Sequence, residues 1–104
     1  MLKENVDMLK LADMGDDVEI KEIDPNEIEI ILPFEGFTIK LFTPLFDIEA
    51  SSPAIITLIG ISSNEFKIRI LTAGFRLETI IPSLVLEVFN PRGVRIIKIV
   101  APPE

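Results

Sequence analysis

The chain has 104 residues, a formal net charge of −7, and no His, Cys, Trp or Tyr. Without thiols and imidazoles it has no disulfides, thiolate zinc sites, iron–sulfur clusters or cysteine nucleophile, and it lacks the commonest general base and metal ligand. With 48% hydrophobic and 26% charged residues, it can bury about two thirds of its unfolded surface as one domain, residues 1–104, without a metal or disulfide staple.

Leu2, Val6, Leu9 and the Met8/Ala12 pair recur at helical spacing, with Lys3, Asp7 and Lys10 opposite. This pattern predicts an amphipathic N-terminal helix over 1–15 that covers a sheet, closed by Gly15 in a left-handed turn. The period then changes to two. Val18 and Ile20 alternate with Glu19 and Lys21, and Ile28, Ile30 and Leu32 alternate with Glu27 and Glu29. Asp24-Pro25-Asn26 between them is a turn, so 18–23 and 27–32 read as a hairpin. After the turn Pro33-Phe34-Glu35-Gly36, residues 37–42 alternate again.

Residues 43–53 break the rhythm. Two prolines frame Leu45, Phe46 and Ile48, which predicts a connection that tucks two apolar side chains into the core, with a projecting loop of apolar tip as the alternative. Residues 54–61 are apolar almost throughout, which predicts a central strand covered on both sides, with Gly60 marking a bulge or a close backbone approach. Phe66, Ile68 and Ile70 alternate with Lys67 and Arg69, and Ala73-Gly74 allows a reversal into 75–81. In 77–89 a helical stripe competes with β-branched residues and with Pro82. The expectation is two strands meeting at Pro82-Ser83, with a short helix over 82–89 as the alternative. Residues 84–89 and 94–100 flank Asn90-Pro91-Arg92-Gly93, a hairpin turn in which Gly93 supplies a positive φ. The sum is an α+β, β-rich fold: one helix and six to eight short, mainly antiparallel strands in a sandwich or partly closed barrel.

The chemistry is sparse. The five glycines stand singly, so no phosphate loop is present. Asp13, Asp16, Asp17 and Glu19 lack calcium-loop spacing and read as a solvated acidic surface. Glu78 and Glu87 are the only acids set in apolar stretches, and alternation places both on an outer face. No nucleophile elbow supports Ser51 or Ser52 with Lys40. No catalytic, cofactor-binding or metal-ligating residue is therefore assigned, and the chain is read as no enzyme. The acidic surface argues against nucleic acid. No apolar run approaches the ~18 residues of a membrane span. Residues 1–15 are too charged for a signal peptide, so a cytoplasmic location is expected. Abundant isoleucine and few oxidation-prone residues lean toward a thermophilic or archaeal composition.

What remains is shape and association. Residues 1–36 hold eleven acids and three bases, whereas 37–104 hold six acids and seven bases. The final apolar strand, with Val94, Ile96 and Val100 and the basic Arg92 and Arg95, is expected to be an open pairing edge. Leu45, Phe46 and Ile48 are expected to form a second contact. The expected function is a non-enzymatic protein–protein interaction or structural module that self-associates. The alternatives are a binder of a small apolar ligand in a barrel or sandwich cavity, and a carboxylate-only hydrolase.

Overall fold

Prolines punctuate this chain because proline cannot donate to a strand ladder. In the computed structural model, which describes residues 2–11 and 17–103, they fall at the hairpin turns, at changes of sheet and after the last strand. The elements are one helical turn, α1 (Leu2–Asn5), and the strands β1 (Asp7–Lys10), β2 (Glu19–Asp24), β3 (Glu27–Leu32), β4 (Thr38–Phe42), β5 (Asp47–Ser51), β6 (Ala54–Ser62), β7 (Glu65–Thr72), β8 (Arg76–Ile81), β9 (Leu84–Phe89) and β10 (Arg95–Ala101). They form two five-stranded sheets: sheet A, ordered β1-β10-β9-β4-β5, and sheet B, ordered β2-β3-β6-β7-β8. Pro25, Pro44 and Pro91 sit in hairpin turns, while Pro33, Pro53 and Pro82 sit where the chain leaves one sheet for the other.

All strand pairs are antiparallel. Ile30, Ile56, Ile68 and Ile70 of sheet B and Ile39, Leu41, Leu86, Val88 and Ile99 of sheet A belong to one buried core, so the sheets stack as a sandwich. Two sheets with free outer strands replace the partly closed barrel.

Local chemistry sets the corners. In the last hairpin the Asn90 side-chain oxygen accepts from the backbone N–H of Arg92 (2.9 Å) and Val94 (3.0 Å), and Gly93 takes the expected positive φ of 81°. At the β5–β6 crossing the buried Ser52 hydroxyl accepts from the Phe37 N–H at 2.9 Å, and the Ser52 N–H donates to the Phe37 carbonyl at 3.1 Å. Gly60 is a close approach, as expected. A Cβ there would lie 3.0 Å from Leu2 Cδ1, and the β6–β7 register shifts beside it.

Four expectations are corrected. The N-terminal helix over 1–15 is a single turn followed by strand β1; its supposed cap, Gly15, lies outside the described residues. The same residues carry a period of two: Val6 and Met8 pack on the core while Asp7 and Leu9 lie exposed. Short isolated helices are marginal in water. A ladder along Ile97–Val100, continued by Leu11 N–H to the Ile96 carbonyl at 2.8 Å, satisfies donors that β10 would otherwise leave open. Consequently the final strand is no pairing edge, since β10 lies between β1 and β9. Residues 43–53, read as an irregular connection, contain strand β5, whereas the strands expected on either side of Pro82-Ser83 are present as β8 and β9 in place of the alternative helix over 82–89. Finally, β6 is central but covered on one face only, with Ile55 and Ile61 exposed.

Candidate interaction face

In sheet B the core-facing Ile30, Leu32, Ile56, Leu58, Phe66, Ile68, Ile70 and Ile81 are buried, and the opposite face is aligned in rows by the strand register. From β2 to β8, one row reads Glu19, Ile31, Ile55, Leu71, Arg76. The next reads Lys21, Glu29, Thr57, Arg69, Glu78. The third runs from β3 to β8 as Glu27, Ile59, Lys67, Ile80, with Ile23 on the β2 bulge beside it. A charged row thus runs between one that is mostly aliphatic and one that mixes aliphatic and charged residues. Ile80 is 54% exposed, Ile23 51%, Ile61 49% and Ile55 38%.

The face is electrically divided. On the β7–β8 side one carboxylate gathers three cations. Glu78 lies 2.7 Å from Lys67 Nζ, 3.1 Å from Arg69 Nε and 2.7 Å from Arg76 Nη2. Hydrogen bonds from Lys67, Arg76 and Arg69 lower its pKa from 4.5 to about 2. This half has positive charge to spare. On the β2–β3 side Glu19 pairs with Lys21 at 3.5 Å, which leaves the charges of Glu27 and Glu29 in excess.

A second feature lies at the side of the sandwich, where the edge strands β1 and β2 part. A groove of about 420 Å³ is lined by Leu2, Val6, Met8, Ile20, Pro25 and Ile28, together with the carboxylates of Asp7, Glu22 and Asp24.

The residues singled out from sequence do not converge. Leu45 projects from the β4–β5 turn with 78% exposure. The Thr43 hydroxyl holds that turn, donating to the Phe46 carbonyl at 2.8 Å, while Phe46 and Ile48 pack against the core. Val100 is half-buried near this end of sheet A, paired with Val85, which in turn pairs with Phe42. Arg92 and Val94 are exposed at the opposite end, beyond Phe89 and Thr38. Arg95 bonds to Glu87, and Ile96 is wholly buried beside the Arg95/Ile97 register shift. Glu78 and Glu87 lie on outer faces of different sheets with the core between them. Among the described residues no group of three acids is placed to hold a metal ion, and no helix is long and apolar enough to cross a membrane.

The outward isoleucines were missed because an unbroken apolar run resembles a strand buried on both faces. The available signal was that Ile59 pairs with Glu27 and Lys67, which only the register reveals. No family model, curated protein or solved structure matches this chain, so function is argued from the geometry.

Proposed function

We propose that this chain is a non-enzymatic module that acts by self-association, and that the outer face of sheet B is its contact surface. The observation that carries this reading is the set of exposed isoleucines, Ile23, Ile55, Ile61 and Ile80, on one sheet face. Exposed apolar residues gathered on one sheet face and interleaved with charged ones mark interaction sites. Five strands of about seven residues give a face of roughly 24 by 23 Å. That is on the order of 550 Å² in projection, below the ~600–1,000 Å² per partner typical of stable interfaces and in the range of weak, transient ones. Association in the micromolar range is therefore expected. Light scattering across micromolar concentrations should find a dimer, and Ile55→Lys/Ile80→Lys should abolish it while leaving the melting temperature of the monomer nearly unchanged. A wild-type chain that stays monomeric throughout would remove the reading.

The groove between β1 and β2 supports a second reading, a binder of a small apolar ligand. Its volume of about 420 Å³ falls within the ~300–1,000 Å³ of small-molecule sites. An uncharged solvatochromic dye should brighten and shift to the blue on binding, and Val6→Phe, which fills the groove, should suppress the response. No response with the wild-type chain would exclude this reading.

A further inference from the structure

Each row on the outer face of sheet B reverses its sign when read backwards about β6. Lys21, Glu29, Thr57, Arg69, Glu78 becomes Glu78, Arg69, Thr57, Glu29, Lys21, so a row laid on its own reverse sets Lys21 against Glu78 and Glu29 against Arg69. In the neighbouring rows Glu19 meets Arg76, Ile31 meets Leu71, Glu27 meets Lys67, and Ile55 and Ile59 meet themselves.

From this pattern we propose that the partner of this face is a second copy of the chain, related by a two-fold axis that lies in the interface and runs along β6. The proposal rests on the self-association reading above and adds its geometry. A two-fold axis in the interface is required for two identical faces to meet. For sheets that stack nearly aligned, it runs close to the strands or nearly across them. Along the strands, each row faces its own reverse, and Lys21, Glu29, Glu19 and Glu27 meet Glu78, Arg69, Arg76 and Lys67. Across them, the charged row faces itself unreversed, bringing Glu29 onto Glu29 and Arg69 onto Arg69. Like charges opposed in this way suppress an arrangement strongly. Tilting that axis by about 15° gives the ~30° crossing of stacked sheets and displaces the outermost strands by about 5 Å, within reach of Lys, Arg and Glu side chains. The net excess of acid on β2–β3 and of base on β7–β8 is what such a contact consumes.

The test exchanges the central pair. Glu29→Arg should weaken dimerisation about tenfold or more at low salt, because each dimer then opposes the introduced guanidinium with that of Arg69 twice. Its global effect runs the other way, since it adds two positive charges to a chain of −7 and so relieves overall repulsion. Arg69→Glu should weaken dimerisation similarly, and Glu29→Arg/Arg69→Glu should restore it. Circular dichroism melts check that each variant folds, and Glu27→Lys, opposite Lys67, is a second single variant expected to weaken the dimer. A wild-type monomer would remove both readings. A wild-type dimer indifferent to Glu29→Arg, or one the double variant does not restore, would overturn the axis alone and leave self-association standing.

Discussion

The outer faces of the two sheets are built from similar residues in opposite patterns. On sheet A the charged row reads Leu9, Lys98, Glu87, Lys40, Glu49, and the apolar row reads Asp7, Val100, Val85, Phe42, Asp47. Reversed about β9, the charged row places Glu87 on Glu87 and Lys98 on Lys40. The two-fold operation that neutralises sheet B therefore opposes like charges on sheet A. Sheet A also ends its apolar row on an aspartate at each edge, and it settles its charges locally: Arg95 bonds to Glu87, and Lys40 lies 5.1 Å above the Phe89 ring. Apolar content alone does not separate the two faces. What separates them is whether the sign pattern inverts under reversal, a property of register rather than of composition.

The contrast between the inner and outer sides of one sheet gives the largest expected effect. Phe66, on β7, is fully buried, and Phe66→Ala should destabilise the fold by about 3–5 kcal/mol through lost burial and the cavity left behind. Ile80, on the neighbouring β8, pairs with Lys67 on the outer side. In dilute monomer Ile80→Ala should change stability by no more than about 0.5 kcal/mol. Raising the protein concentration should enlarge the Ile80→Ala difference, because association stabilises only what it contacts. Val85→Ala on the outer side of sheet A should show a difference independent of concentration. Urea titrations followed by far-UV circular dichroism at two concentrations test the contrast. Equal concentration dependence at Ile80 and Val85 would erase the distinction between the faces.

Much of this architecture could be read from alternation and turn chemistry. The hairpin at Pro25-Asn26, the positive φ at Gly93, the strands meeting at Pro82-Ser83 and the tight approach at Gly60 each rest on a local rule, and each is present. The errors arise where the deciding partner is distant in sequence. Val6, Met8 and Leu9 satisfy helical and strand periods alike, and only the unfilled edge of β10, some ninety residues later, selects the strand. β5 is five residues long, and its alternation of Ile48 and Ala50 is hidden between Pro44 and Pro53. The row pattern on the outer face of sheet B was invisible for the same reason. Its rows join β3 to β6, strands that are not consecutive in the chain, so no local window contains the pattern. The outward position of Glu78, by contrast, follows from alternation alone.

That position makes Glu78 the subject of the smallest expected effect, which sharpens the view of sheet B as the electrically unfinished face. With Lys67, Arg69 and Arg76 around it, Glu78 has a folded-state pKa of about 2 against an ordinary 4.5. A depressed folded-state pKa means that the ionised carboxylate stabilises the fold. The contribution is complete above the unfolded value and disappears as the pH falls through the folded one. The stability difference between the wild-type chain and Glu78→Gln should therefore be constant above about pH 5. It should shrink below 4.5 and vanish near 2. Because the Glu78 side chain is 28% exposed, added salt should reduce the difference at every pH. The chain has no Trp or Tyr, so circular dichroism rather than intrinsic fluorescence follows the transitions. A difference that persisted unchanged to pH 2 would mean that the three cations do not act on Glu78 in the folded chain. The positive half of the face would then have to be sought elsewhere.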